Sequence, residues 1–142
     1  MMDDQELQEA MVRFVRAFGL HQPDQTPCGQ PVPVSEAHAL GELARDGALR
    51  QHDLAHRLRL EKSTTSRLVT QLIKRGWAER IPAHGDGRGV LVRLTPDGAN
   101  AAARLAEARA LRFSAILDRV PPGERANVLH ALELLANATE HP

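Results

Sequence analysis

The chain has 142 residues, of which 42% are apolar and 25% are charged, and its 18 basic side chains balance 18 acidic ones; this composition fits one folded unit and excludes a disordered chain. No apolar run approaches the length of a membrane span, and the N-terminus is acidic where a secretory signal is basic, so we expect a soluble cytoplasmic protein. Cys28 is the only cysteine, which excludes an intramolecular disulfide and a cysteine-rich zinc module.

Apolar residues recur at helical spacing in the first part of the chain. They predict a first helix over about residues 3–19, and four prolines within residues 21–34 prevent its continuation. A second helix is expected to begin at an N-cap, Ser35, and to stop at Asp46 and Gly47. The residues expected to face inward are Leu7, Met11, Phe14, Val15 and Phe18 in the first helix and Ala39, Leu40, Leu43 and Ala44 in the second.

Two further helices follow, separated by a tight turn. The third is predicted over about residues 51–58 and the fourth over about residues 61–75, ending at Gly76. Because Ala55 is small, the two helices can cross closely, which is typical of a helix-turn-helix. The residues expected to face inward are Leu54, Ala55 and Leu58 in the third helix and Thr65, Leu68, Val69, Leu72 and Ile73 in the fourth.

The apolar period then changes from helical to alternating. Residues 77–81 and 90–94 are predicted strands, joined by the glycine-rich segment PAHGDGRG as a hairpin. Thr95 and Pro96 start a long helix to about residue 119, and a last helix follows residues 121–123. The predicted fold is mainly α with a small β-hairpin, in the order α-α-α-α-β-β-α-α.

The neutral net charge hides an uneven distribution. Residues 50–93 carry ten basic and four acidic side chains, a net charge of +6, whereas residues 1–49 and 94–142 carry −5 and −1. A basic segment suits phosphate binding, because the favourable field is needed only on the face that meets the polyanion. Charge alone is also compatible with a solvated basic surface.

The fourth helix has an outward face without a carboxylate. Short hydroxyl side chains near its start, followed by arginine and glutamine, suit a helix inserted in the DNA major groove, where bulky residues would hold it away from the base edges. The alternative is a solvated amphipathic helix. The outward residues are Lys62, Ser63, Ser66, Arg67, Thr70, Gln71, Lys74 and Arg75, with Thr64 near the first turn.

Three segments, DLAHRL, KSTTSRLVTQLIKRGWAER and GDGRGVLVRLTPDG, together resemble the MarR family of winged helix-turn-helix transcriptional regulators. The resemblance implies a homodimer that binds a palindromic operator on double-stranded DNA, more often as a repressor than an activator. It also implies a single unit over residues 1–142, with a winged DNA-binding lobe at residues 34–98 and dimerisation helices at residues 1–20 and 99–142.

The resemblance also implies which residues contact DNA. The fourth helix enters the major groove, and residues 80–93 form the wing, where Arg88 reaches the minor groove and Asp86 orients its guanidinium. Gly87 replaces an arginine common in relatives, so one positive charge per wing is missing. The implied DNA-contacting residues are Lys62, Ser63, Thr64, Ser66, Arg67, Thr70, Gln71, Lys74, Arg80, Asp86 and Arg88.

The ends of the chain carry more apolar surface than isolated helices can bury. A second copy of the chain would cover it, and a monomeric helical bundle is the alternative. In the last two helices the apolar residues are Leu105, Leu111, Ile116, Leu117, Val120, Val128, Leu129, Leu132 and Leu135.

Regulatory sites are less well defined. The resemblance implies a cleft for a small aromatic or lipophilic acid, with Arg13 or Arg16, Phe14, Phe18 and His38 as candidate contacts. We interpret Cys28 as a plain loop thiol, because no tyrosine is present to support a thiolate and Asp24 is the nearest charge. His52 and His56 share a helix face, but we expect no metal site and no cofactor.

No catalytic constellation is visible. Cys28 lacks an arguable partner, and GDGRG does not open a helix as a phosphate-binding loop must. We therefore expect a DNA-binding regulator without enzymatic activity. The alternative is a winged-helix module that binds another protein and no DNA.

Overall fold

The structure is a computed structural model that describes residues 1–83 and 89–140. Contacts between residues divide the chain into two compact units, Met1–Arg109 and Ala110–Pro142. Asp86 and Arg88 lie outside the described residues. Within the described ranges, no helix is both long and apolar enough to cross a membrane.

Seven complete elements and the start of an eighth form the first unit. They are α1 (Asp4–Phe18), α2 (Val34–Asp46), β1 (Ala48–Arg50), α3 (Gln51–Leu58), α4 (Lys62–Lys74), β2 (Ala78–Pro82), β3 (Val90–Leu94) and the first part of α5 (Pro96–Asp118). The mainly helical fold with a small antiparallel sheet confirms the predicted fold class.

The helix ends follow from local sequence, with one exception. Asp3 caps α1, since its carboxylate accepts from the Glu6 N–H at 2.8 Å and the Glu6 carboxylate accepts from the Asp3 N–H at 2.9 Å. The predicted N-cap of α2 is wrong, because Pro33 holds that position and Ser35 lies exposed in the first turn. The fixed φ of proline starts the helix there without a side-chain hydrogen bond.

The sheet contains a strand that the sequence pattern did not predict. β1 pairs antiparallel with β3, which also pairs antiparallel with β2, so the order is β1-β3-β2. Arg50, the last residue of β1, lies opposite Leu91 in this register. The first helix of the helix-turn-helix is therefore attached directly to the sheet.

The core lies between α2, α3, α4, the sheet and the start of α5. Leu40, Leu54, Leu72 and Val92 are at most 1% exposed. Ile73 and Leu58 are half-buried and pack against this core. Ala44, expected to face inward, is exposed, because the buried side of α2 follows Glu36, Leu40 and Leu43 instead.

The second unit contains the end of α5, a short 3₁₀ helix (Pro122–Glu124) and α6 (Arg125–Glu140). Its large apolar side chains are mostly exposed, although Ile116, Val120 and Leu135 are half-buried. The exposed ones are Leu111, Phe113, Leu117, Val128, Leu129, Leu132 and Leu134.

Candidate nucleic-acid interface

α3 and α4 form a helix-turn-helix joined by Arg59, Leu60 and Glu61. The Leu60 N–H donates to the Ala55 carbonyl at 3.0 Å, which closes the end of α3. Arg59 has φ of 56°, and no other non-glycine residue in the described ranges has a positive φ. The side chains of Leu58 and Leu60 pack on the core, so the turn is held by apolar contacts as well as by the backbone.

One side of α4 is buried and holds the helix in place. Thr65, Leu68, Val69 and Leu72 are all at most 6% exposed. The buried Thr65 hydroxyl donates to the Glu61 carbonyl at 3.0 Å, which satisfies its polar atom within the helix. The opposite side of α4 is left for contact with another molecule.

The exposed side of α4 carries the residues that the sequence predicted for DNA contact. Arg67 is exposed, and its Nη2 lies 3.5 Å from the Thr64 hydroxyl, at the limit of a hydrogen bond. The Thr70 hydroxyl donates to the Ser66 carbonyl at 2.9 Å. Lys62, Ser63, Arg67, Thr70, Gln71 and Lys74 are exposed, and Thr64 and Ser66 are half-buried.

Ion pairs separate the basic residues near this face into two groups. Arg57 pairs with Asp46 and Glu42, and Arg93 pairs with Glu79 at 2.7 Å. The predicted contacts Lys62, Arg67, Lys74 and Arg80 form no ion pair with any residue in ranges 1–83 and 89–140. Their charges are therefore not neutralised by an ion pair with these described residues, which leaves a local positive field at this face.

Arg75 is exposed, as predicted, but it is paired within the chain. Its guanidinium pairs with the buried carboxylate of Glu36 on α2, with Nε donating to Oε1 at 2.7 Å. The same guanidinium lies over the Trp77 ring, 5.1 Å from the ring centre. Glu36 lies one helical turn before Leu40 on the buried side of α2, and a carboxylate on an apolar stripe is the sequence signal that would have predicted such a partner.

The base of the predicted wing is formed by β2 and β3. Arg80 is exposed on β2 opposite Val92, and the Ala83 N–H donates to the Gly89 carbonyl at 3.3 Å. Sequence reasoning missed Arg50, whose guanidinium lies so close to the backbone of Gly89 that a Cβ there would overlap with it. Only the unpredicted pairing of β1 with β3 brings these two residues together.

A hydrogen-bonded junction ties the end of α4 to the start of α5. The Thr95 hydroxyl donates to the Gly76 carbonyl at 2.6 Å, and the Thr95 N–H donates to the Trp77 carbonyl at 3.0 Å. The Gly98 N–H in turn donates to the Thr95 hydroxyl at 3.1 Å, as expected of an N-cap. α5 therefore begins at a fixed position relative to α4.

The candidate effector residues lie on α1 and α2. Phe14 and Phe18 stack with ring centres 5.5 Å apart, and Phe14 is 53% exposed. Arg13 and Arg16 line an open groove along α1, together with Gln8, Glu9 and Val12, and His38 is exposed on α2. Phe14, Phe18 and His38 do not line this groove.

Cys28 lies in a compact turn. Its Sγ is 2.9 Å from the hydroxyl of the buried Thr26, which also accepts from the Gln30 N–H at 3.1 Å. Among the described residues, no three histidine, cysteine or acidic side chains lie close enough to hold a metal ion. His52 and His56 are exposed on α3.

Comparison with known proteins gives related sequences and folds. The MarR family matches residues 30–89. An uncharacterized HTH-type transcriptional regulator of Mycobacterium bovis is 30% identical over 138 residues, which cover 96% of this chain and 93% of the relative. Among the first mycobacterial relatives, the matched part covers from 62% to 93% of the relative's own length.

Two solved structures illustrate the shared fold. Streptococcus pneumoniae FabT in complex with DNA has a TM-score of 0.81 and 18% identity, covering 97% of this chain and 98% of FabT. NadR in complex with 4-hydroxyphenylacetate has a TM-score of 0.65 and 22% identity, covering 100% of this chain and 95% of NadR.

Proposed function

The chain belongs to the MarR family of helix-turn-helix transcriptional regulators, and from this premise we propose that it is a homodimeric repressor that binds a palindromic operator and leaves it when a small effector binds. The observation that carries the DNA-binding part is the exposed face of α4, which has no carboxylate and whose cations form no ion pair with the described residues. This face suits a polyanion such as DNA and disfavours a basic partner.

Within this face, the roles divide by position along α4. Arg67 lies one turn after Ser63 and one turn before Gln71, all three exposed, so these side chains reach base edges when the helix lies in the major groove. Lys62 and Lys74 at the two ends, and Arg80 on β2, bind phosphates. Asp86 and Arg88 keep the proposed role of wing contacts.

We propose that a second copy of the chain covers the exposed apolar side chains at the chain ends. α1 exposes Met11, Val12 and Phe14, and α6 exposes Leu129 and Leu132, at fractions of 42% or more. Exposed apolar surface of this extent marks an interface. The proposed organisation is a DNA-binding lobe at residues 34–98 and dimerisation helices at residues 1–20 and 99–142.

We propose an aromatic or lipophilic acid as the effector class. The stacked rings of Phe14 and Phe18 provide an apolar surface, and the exposed Arg13 and His38 provide donors for a carboxylate. The aromatic acid in the NadR complex supports this class. We further propose that the protein acts in the cytoplasm, as its proposed role in DNA binding requires, and that it has no catalytic activity.

The test is footprinting of the intergenic region beside its own gene. We expect protection of a pseudo-palindrome, with one half-site for each copy of the chain. Binding to random duplex DNA should fall steeply as salt increases, because phosphate contacts release counterions. A protein that protects no sequence and shows no salt-dependent binding to random duplex would instead be the winged-helix module that binds another protein and no DNA.

A further inference from the structure

A partly buried ion pair, in which Glu36 is buried and the Arg75 side chain is 36% exposed, joins the start of α2 to the end of α4. Glu36 is 6% exposed, and its two carboxylate oxygens accept from Nε of Arg75 at 2.7 Å and from Nη2 at 3.4 Å. The partners are 39 residues apart in sequence. Because the guanidinium also lies over the Trp77 ring, Arg75 is fixed by two different contacts.

Stability alone does not explain this arrangement. Burial of the Glu36 charge offsets part of its attraction to Arg75, and water screens the exposed part of the guanidinium, so the net contribution of the pair to stability is small. The pair instead fixes an orientation. When a carboxylate accepts two N–H groups of one guanidinium, the carboxylate and the guanidinium are held at a defined angle to each other. The pair therefore fixes the distance and direction between α2 and the end of α4.

The end of α4 is the right place for such a constraint. Arg75 directly follows α4, and the next two carbonyls, of Gly76 and Trp77, accept hydrogen bonds from Thr95. The end of α4 is thus held from α2 and from the start of α5. Side chains that contact base edges need placement within about 0.5 Å, which a tilt of the helix would destroy.

We propose that Glu36 is a positioning residue for DNA sequence recognition, acting through Arg75 to fix the orientation of α4. The inference rests on the proposed function, in which α4 contacts base edges. Glu36 itself does not touch DNA, because it is buried on α2. Its loss should therefore reduce discrimination between sequences more than attraction to phosphates.

The experiment compares selected and unselected DNA. The wild-type protein selects its preferred sequence from a pool of random duplexes, and the affinities of each variant for the selected duplex and for the unselected pool are measured at one salt concentration. Glu36→Gln retains the side-chain size without the charge, and Arg75→Lys retains the charge without the planar fork. Each should lower the preference for the selected duplex about tenfold, comparable to losing one base contact, and leave pool affinity within about twofold.

Glu42→Gln is the matched control. It removes the same charge from the same helix, and its carboxylate pairs with Arg45 at 2.6 Å and with Arg57 at 3.5 Å, neither of which belongs to α4. We expect this variant to keep the wild-type preference. Trp77 fluorescence supplies a second measurement, because releasing Arg75 from Glu36 should move the guanidinium that lies over the Trp77 ring. The Glu42→Gln control leaves this guanidinium in place, so its Trp77 fluorescence should match the wild type.

Several outcomes would overturn the inference. A folded Glu36→Gln variant with wild-type preference contradicts it, and so does an equal loss of affinity for both DNAs. If Glu36→Gln fails to fold, Arg75→Lys decides by the same criteria. A wild-type protein that enriches no sequence would refute the proposed function itself, before any variant is compared.

Discussion

Among the glycines of the described residues, Gly98 is the one at which an added Cβ would come nearest to another backbone segment, and Gly98→Ala should destabilise the fold. A Cβ at this position would overlap with the Trp77 carbonyl oxygen and would lie 2.7 Å from the carbonyl carbon and 3.0 Å from Cα of Trp77. These are backbone atoms that no rotamer change can move. The start of α5 must therefore shift away from Trp77, which pulls the Thr95 N–H from the carbonyl it donates to.

The magnitude follows from three opposing contributions. Overpacking costs typically about 1–3 kcal/mol, and the upper value applies because the contact is with backbone. Losing the hydrogen bond between Thr95 and Trp77 costs about 1 kcal/mol. Replacing glycine in a helix returns about 1 kcal/mol. We expect the free energy of unfolding to fall by about 3 kcal/mol, a decrease in Tm of about 10 °C for a chain of this size.

Gly41→Ala is the matched control. Gly41 lies inside α2, and a Cβ there would meet only Nη2 of Arg109, at 3.9 Å, an ordinary contact. This variant should gain up to about 1 kcal/mol of stability. Both variants are compared with the wild type by urea unfolding at one protein concentration, since a dimer makes stability depend on concentration. If Gly98→Ala is as stable as Gly41→Ala, the close approach of α5 to Trp77 does not exist.

Three further predictions concern assembly, the thiol and the wing. Deleting residues 1–19 should give monomers or insoluble protein in light scattering, and a dimer of unchanged DNA affinity would refute the proposed role of α1. Peroxide should leave the affinity for the selected duplex within about twofold in the wild type and in Cys28→Ser, and a loss confined to the wild type would show that the thiol is a sensor. Gly89→Ala should displace the Arg50 guanidinium, a cation at the base of the proposed wing, and so weaken binding to random duplex, measured by anisotropy. Gly47→Ala is the control, because both glycines have positive φ, 79° and 84°, but a Cβ at Gly47 meets nothing. Equal effects of the two variants would contradict a role for Arg50 in the wing.

Elements with strong local patterns were predictable from the sequence. The apolar residues of α4 recur at helical spacing, and they predicted the bounds of this helix to within one residue at each end. Thr95 before Pro96 marked the start of α5. The carboxylate-free face of α4 follows directly from helical periodicity, because the buried residues Thr65, Leu68 and Leu72 leave the opposite side to solvent.

Features set by distant residues were not predictable in this way. β1 has three residues, too few for an alternating pattern, and exists because β3 offers it a pairing edge. Arg75 follows the outward face of α4 by periodicity, yet it turns to Glu36 on another helix. The roles of Asp86 and Arg88 in the wing stay predictions from the family resemblance.

The most direct test of sequence recognition by α4 is the effect of Arg67→Ala on the two DNAs. Loss of a contact to a guanine should weaken binding to the selected duplex by about 1–3 kcal/mol, and binding to the random pool by much less. Arg80→Ala, which removes a cation from the exposed side of β2, should weaken both by a similar factor. If Arg67→Ala instead reduces the two affinities equally, α4 does not recognise bases through Arg67, and the proposed orientation of its exposed face is wrong.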